Sequence, residues 1–181
     1  MLCTNVPSMD MKEKTKIGIS ACLLGEKVRY DGGHKLDRFR ADTLGKHVEY
    51  VAVCPEFECG LGVPREPMHL EGAPDAPRLV TNNTQQDHTE QLLTWARRRL
   101  DELDGENICG FVFKRNSPSC GVQRVEVYNE KGMPTKEGVG IFARLFMKHF
   151  PLLPVEDEER LQDAKVREDF IEKCRKSMSA V

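Results

Sequence analysis

A chain of 181 residues that is 39% hydrophobic and 31% charged is long enough to bury one full core, too apolar to be disordered, and short for two complete domains. Its 27 Lys and Arg against 29 Asp and Glu leave a net charge of -2, so the whole-chain field does not draw in nucleic acid, although a local basic patch still can. No apolar run approaches the roughly 20 residues of a membrane span, and the opening residues lack the apolar stretch of a secretory signal, so no membrane partner and a cytoplasmic location are expected.

Residues 1–15 are polar and unpatterned and read as a flexible N-terminal tail that carries Cys3. A short apolar strand over 16–19 leads into Ser20-Ala21-Cys22, and a charged, Gly-rich loop follows through Arg29, Tyr30, Asp31, Gly32 and Gly33. A helix is predicted over 40–47, then a buried strand, Tyr50-Val51-Ala52-Val53, that runs straight into Cys54-Pro55-Glu56. Residues 60–77 read as one long Gly/Pro-rich loop, and loops of that length inside compact domains usually serve a site. Leu92, Leu93, Ala96, Leu100 and Leu103 recur at helical spacing, which predicts an amphipathic helix over 84–103 stopped at Asp104-Gly105. A third buried strand over 108–113 ends in Lys114-Arg115-Asn116-Ser117-Pro118-Ser119-Cys120-Gly121. Beyond Val122 to Tyr128 and a turn at 129–132, a helix is predicted over 138–149, a last strand over 152–155 and a charged amphipathic helix over 156–176. The expected organisation is a tail over 1–15, a main domain over 16–155 and a C-terminal helix over 156–181.

Strands that alternate with helices predict an α/β fold, a three-layer Rossmann-like domain with a mainly parallel sheet covered on both faces. Ligands of such sheets bind outside the carboxyl ends of the strands, where the strand order switches. Cys22, Cys54 and Cys120 each follow a strand end, so the pattern places all three along that edge although they lie far apart in the chain.

Seven cysteines, at 3, 22, 54, 59, 109, 120 and 174, are an odd number in a chain with no export signal, so disulfides are not expected. Three thiolates meeting in one cleft repel each other unless a metal or cluster neutralises them. Thiolates suit zinc, Cu(I) and iron-sulfur clusters. Structural zinc normally wants four ligands at close spacings that are missing here. A cubane cluster held by three cysteines keeps one iron open to an exogenous group, which is what a Lewis-acid enzyme needs. Cluster, zinc and free thiols all stay open on pattern alone. Cys109 reads as strand core and Cys174 as a helix position. Cys59 is a fourth ligand, a neighbour of the site or loop packing, and loop packing is the simplest of the three.

Glu56 directly follows Cys54-Pro55, within reach of whatever binds there, and is a candidate general base toward water; its ordinary alternative is a surface or capping carboxylate. In Ser117-Pro118-Ser119-Cys120-Gly121 the ordinary reading is a tight turn with hydroxyls on backbone amides, and the functional one gives Ser117 a hydrogen bond to substrate. Arg29, Arg65, Lys114 and Arg115 read singly as solvated cations, yet all four neighbour the expected cleft and together suit a uracil ring or a phosphate. The five histidines show no ligand spacing.

The stretches 18–25, 28–32, Cys54-Pro55-Glu56, 60–65 and 117–121 together resemble the thiouracil desulfidase family, with five motifs in order over most of residues 16–150. The resemblance implies a 4Fe-4S cluster on Cys22, Cys54 and Cys120, with one iron free of protein ligands to take the substrate's sulfur. It further implies catalytic help from Glu56 and Ser117 and a supply of clusters from the cluster-assembly machinery. The implied activity is non-redox: a thiolated uracil, such as 2- or 4-thiouracil or 4-thiouridine, becomes uracil or uridine and sulfide is released, with Glu56 activating the water. Many relatives have no cysteine at the place of Cys59, which bears on the three-ligand count. The segments around Arg65 and Leu70 and over 155–161 look more like relatives fused to a second domain that act on 4-thiouridine from RNA. The chain ends at Val181, so a single-domain member and a piece of a larger protein both stay open, as does thiolated tRNA as a partner. The rival readings are a non-catalytic zinc-binding or redox-sensing module and an RNA-binding protein without chemistry.

Overall fold

The computed structural model describes residues 15–36 and 48–178; the helix predicted over 40–47 and nearly all of the predicted tail lie outside them. Among the described residues the strands are β1 (Thr15–Ser20), β2 (Val48–Val53), β3 (Met68–Glu71), β4 (Arg78–Thr81), β5 (Phe111–Phe113), β6 (Val125–Tyr128), β7 (Pro134–Gly138) and β8 (Val155–Asp157). The α-helices are α1 (Thr89–Gly105), α2 (Ile141–His149) and α3 (Ala164–Met178). None of the described helices is long and apolar enough to cross a membrane.

Period two along β5 decides the layering, because Phe111 and Phe113 point to one face and Val112 to the other. On the first face the two phenylalanines meet Leu92, Trp95, Ala96 and Leu100 of α1 and Phe142 and Phe146 of α2. On the second, Val112 joins Ile17 and Ile19 of β1 and is covered by Phe170 and Cys174 of α3. The sheet between them is fully parallel in the order β2-β1-β5-β8. This is the three-layer α/β arrangement that the alternation of strands and helices predicts. The chain steps from β1 outward to β2 on one side and to β5 and β8 on the other, so the order switches between β1 and β5. Close packing there depends on Gly18, where a Cβ would stand 2.2 Å from the Phe111 ring.

A second sheet, β4-β3-β6-β7, was not expected. β3 pairs antiparallel with β4 and parallel with β6, and β6 pairs antiparallel with β7. The predicted 60–77 loop therefore contains a strand, and the turn at 129–132 joins a hairpin. These strands carry only four or five residues each, with sequences such as MHLE and PTKEG, too short and too polar for a period to show. They form because Leu70, Leu79, Val125 and Val127 bury into the core under α1 and α2, a tertiary contribution that outweighs weak strand propensity.

Boundaries move for local reasons. The helix predicted from 84 starts at Thr89, whose N–H donates to Asp87 Oδ1 at 2.9 Å. The last strand is Val155–Asp157, later than predicted. The charged helix begins only at Ala164, where Asp163 Oδ1 accepts the N–H groups of Lys165 and Val166 at 2.9 and 3.1 Å, an N-cap by side-chain carboxylate.

Phe146, fully buried among Phe111, Phe113, Phe142 and Phe150, tests this core. Phe146→Ala should cost about 3–5 kcal/mol in urea unfolding followed by the fluorescence of Trp95, which packs 5.4 Å from Phe142. A change within about 0.5 kcal/mol, as surface sites give, would place Phe146 outside the core.

Candidate functional site

Cys22, Cys54 and Cys120 are each anchored through the backbone. Cys22 lies in a single 3-10 turn, Ala21–Leu24, directly after β1; its carbonyl accepts the N–H of Lys35 at 2.8 Å and of Gly25 at 3.3 Å. Cys54 follows β2, and its N–H donates to Glu58 Oε1 at 2.7 Å while its carbonyl accepts the Glu58 N–H at 2.9 Å. Cys120 sits in a turn that Ser117 closes, the Ser117 hydroxyl oxygen accepting the N–H groups of Ser119 and Cys120 at 3.2 and 3.1 Å. That turn is seated on the amino end of α2. The carbonyls of Gly121, Pro118 and Ser119 accept the N–H groups of Gly140, Ile141 and Phe142 at 2.7, 3.1 and 3.0 Å, so amides that a helix start leaves without partners hold the cysteine turn instead.

Cys22, Cys54 and Cys120 line one cavity of about 220 Å³ at the carboxyl edge of the parallel sheet, together with Glu56 and Ser117. Its electrostatics are those of thiols held away from water. Burial pushes Cys54 up to about 12. Cys22 is raised by burial, against the pull of Lys114 and Arg29. Cys120 is raised well above the usual thiol range, by burial first and then by the charges of Cys54, Glu56 and Cys22. The three sulfurs thus feel one another, and their ionised forms require a positive group between them.

Glu56 is part-buried beside this set, and its contacts were not legible in the sequence. Its Oε2 accepts Arg65 Nε at 2.9 Å and Nη2 at 2.6 Å. Its Oε1 accepts the hydroxyl of Ser119 at 2.8 Å. Ser117 lines the cavity as expected, yet the serine that touches Glu56 is its neighbour but one. Arg65, expected as a solvated cation, has a side chain only 7% exposed. Lys114 and Arg115 also line the cavity, paired with Glu158 and Glu159, and the Arg29 guanidinium lies over the Tyr30 ring at 5.3 Å. Only backbone geometry brings residues 56, 65 and 119 together; the one advance signal was that Arg65 and Ser119 sit inside the recognised motifs.

The remaining described cysteines stand elsewhere. Cys59, in the π-turn Phe57–Leu61, packs against the core and donates to the Glu56 carbonyl at 3.4 Å. Cys109 and Cys174 are buried against each other across the sheet–α3 interface; the hydrogen bond from Cys174 holds Cys109 below its usual range, and Cys109 in turn donates to the Lys16 carbonyl at 3.1 Å.

Beside the cavity, and sharing Met68, Arg115, Asn116 and Pro118 with it, runs a larger and more polar groove of about 550 Å³. His69, Asn82, Tyr128, Arg124 and Lys136 line it. His69 is held by Asn82 Oδ1 at 2.8 Å and by the edge of the Tyr128 ring at 5.1 Å between centroids.

The 2-thiouracil desulfurase family profile matches residues 17–158. The uncharacterized protein YbbK of Bacillus subtilis (strain 168) is 31% identical over 108 residues, which is 57% of this chain and 71% of that protein. Among solved structures, the 4Fe-4S-dependent thiouracil desulfidase TudS superposes with a TM-score of 0.67 at 34% identity, over 82% of this chain and 94% of that one.

The seating of the cysteine turn on α2 rests on Gly140, where a Cβ would stand 2.6 Å from the Ser119 carbonyl carbon and 2.7 Å from the Cys120 and Gly121 nitrogens. Gly140→Ala should therefore destabilise the fold by about 1–3 kcal/mol, as overpacking does, and lower the metal taken up per chain on reconstitution. Wild-type unfolding midpoint and metal content in that variant would show that the turn has room to shift.

Proposed function

The chain belongs to the 2-thiouracil desulfurase family, and from that premise we propose that it holds a 4Fe-4S cluster on Cys22, Cys54 and Cys120 and removes sulfur from a thiolated uracil carried as a nucleoside. The observation that carries this reading is the meeting of three cysteines and the Glu56 carboxylate in one cavity. The donor set fits the group, since thiolates are the ligands of such clusters. Among the described residues, no three or more His, Cys, Asp or Glu side chains are gathered as a ligand set for a single metal ion. A structural zinc takes four protein ligands, whereas a cubane cluster is held by the three cysteines that line this cavity with one iron left open.

Bound through three cysteines, the cluster supplies a Lewis-acidic iron with one position open to a thiocarbonyl sulfur. The chain supplies the rest. Glu56 Oε1 takes a proton from water as the water oxygen attacks the thiocarbonyl carbon. The C–S bond breaks with its electron pair on sulfur, so thiocarbonyl and water give carbonyl and hydrogen sulfide without net oxidation or reduction. Lys114 and Arg29, the two cations that act on Cys22, offset negative charge as sulfur departs. Ser117, whose oxygen already accepts two backbone amides, keeps its O–H as a donor toward the cavity.

The adjoining groove supports a nucleoside over a free base. The cluster takes the cysteine-lined end of the cavity of about 220 Å³, the thiocarbonyl edge of the uracil enters beside Glu56 and Ser117, and the ribose extends into the polar groove of about 550 Å³. The net charge of -2 and the pairing of Lys114 and Arg115 with glutamates favour a small molecule over tRNA. A cluster of this kind is supplied by the cluster-assembly machinery of a reducing compartment, which makes the cytoplasm the proposed location.

Sulfide release by anaerobically reconstituted protein tests the reading. 4-Thiouridine should exceed 4-thiouracil in kcat/KM by at least about tenfold, the worth of one contact of roughly 1.4 kcal/mol; equal values would remove the groove from the substrate site. No sulfide from any thiolated uracil, or zinc in place of iron, would overturn the function itself. Cys22→Ala, Cys54→Ala and Cys120→Ala should each lose the iron, measured as iron and acid-labile sulfide per chain, while Cys59→Ala retains it. Iron lost from the Cys59 variant and kept by the Cys54 variant would reverse that assignment.

A further inference from the structure

Arg65 is a cation lining the cavity whose guanidinium donates to groups of the protein itself. Two of its donors, Nε and Nη2, go to one oxygen of Glu56, Oε2, at 2.9 and 2.6 Å. Nη1 goes to the carbonyls of Val28 and Gly62 at 3.0 and 2.9 Å. Its backbone N–H donates to the Tyr30 carbonyl at 2.9 Å. One residue thereby ties together the loop after Cys22, the turn after Cys54 and the segment before itself, while its side chain stays 7% exposed. On the other side of Glu56, the wholly buried Ser119 donates to Oε1 at 2.8 Å.

A carboxylate offers about four lone-pair sites, two on each oxygen. Arg65 occupies both on Oε2 and Ser119 occupies one on Oε1. We infer that Arg65 and Ser119 are positioning residues for the desulfidation, together clamping Glu56 so that a single lone pair, on Oε1, is left to meet water. The inference rests on the proposed role of Glu56 as the base. The clamp sets the direction from which the carboxylate approaches the reacting carbon, and it withholds the Arg65 charge from any substrate anion. Lysine cannot replace the arginine, because a point charge on a flexible stem gives neither the double bond to one oxygen nor the simultaneous reach to two carbonyls. Serine 119 acts through geometry in the same way: it belongs to the turn seated on α2, so the position of Oε1 is referred to the same helix end that places Cys120.

The test compares Arg65→Lys, Arg65→Ala and Ser119→Ala with Glu56→Ala, all reconstituted anaerobically and compared at equal iron content. Arg65→Lys and Arg65→Ala should keep wild-type iron and KM and lose about 10- to 100-fold in kcat, as a catalytic group misplaced by about 1 Å does. Millimolar guanidinium should restore part of kcat to Arg65→Ala and none to Glu56→Ala, a difference that a purely structural role does not produce. Hydrogen exchange of the cluster-free chain gives a readout independent of turnover: amides over 28–30 and 54–58 should exchange faster in Arg65→Lys, and no faster in Arg98→Ala, an exposed control on α1. Should Arg65→Ala fail to fold, Arg65→Lys and Ser119→Ala carry the comparison. Wild-type kcat in Arg65→Lys and Ser119→Ala, or unchanged exchange over 28–30 and 54–58, overturns the clamp. If the wild-type protein releases no sulfide from any thiolated uracil, the proposed function fails, and the exchange measurement still decides whether Arg65 holds these loops.

Discussion

The site depends on one contact above all, the seating of the cysteine turn 117–121 on the amino end of α2. The first amides of a helix have no partners of their own, and buried amides must find acceptors. Here the carbonyls of Pro118, Ser119 and Gly121 supply them, with Gly140 giving the backbone-to-backbone approach that a side chain would block. α2 is itself locked by Phe142 and Phe146 in the aromatic core. Through that chain of contacts the position of Cys120 is set by the deepest part of the molecule.

The other two cysteines are set by the parallel sheet. β1 and β2 are paired along their full length, from Thr15 with Val48 to Ser20 with Val53, so the chain leaves both strands at the same height, with Cys54 one residue and Cys22 two residues beyond the last pair. Parallel pairing at a switch in strand order opens a crevice at the carboxyl ends, and the 117–121 turn closes its far wall. The second sheet adds the outer wall through Met68 and frames the polar groove beyond.

Burial makes this arrangement costly for the chain alone. Three thiols are raised by desolvation, and a carboxylate and a guanidinium are removed from water beside them. The Glu56–Arg65 pair is tolerable because both partners make further hydrogen bonds, Glu56 with Ser119 and Arg65 with the Val28 and Gly62 carbonyls, the condition under which a buried ion pair persists. Three cysteine sulfurs held away from water in one cavity suit a cationic, sulfur-binding group, which stabilises their ionised forms.

Sequence alone determined the layered α/β class, the placement of two cysteines just past strand ends and of a third in the loop after β5, and the closeness of Glu56 to one of them, because these follow from periods of two and 3.6 residues and from short local spacing. The resemblance in five motifs added the family. The second sheet stayed hidden because its strands are four or five residues long and owe their form to burial against helices distant in the chain. Ser117 was legible as a turn former and a cavity residue, whereas the contact between Ser119 and Glu56 spans 63 positions and has no local sign. Arg65 reads in the chain as one of four cations that neighbour the cleft, free to meet a ligand. Only the tertiary structure decided that its charge is taken up within the site, since hydrogen-bond partners are chosen by where loops meet in space and not by the residues on either side.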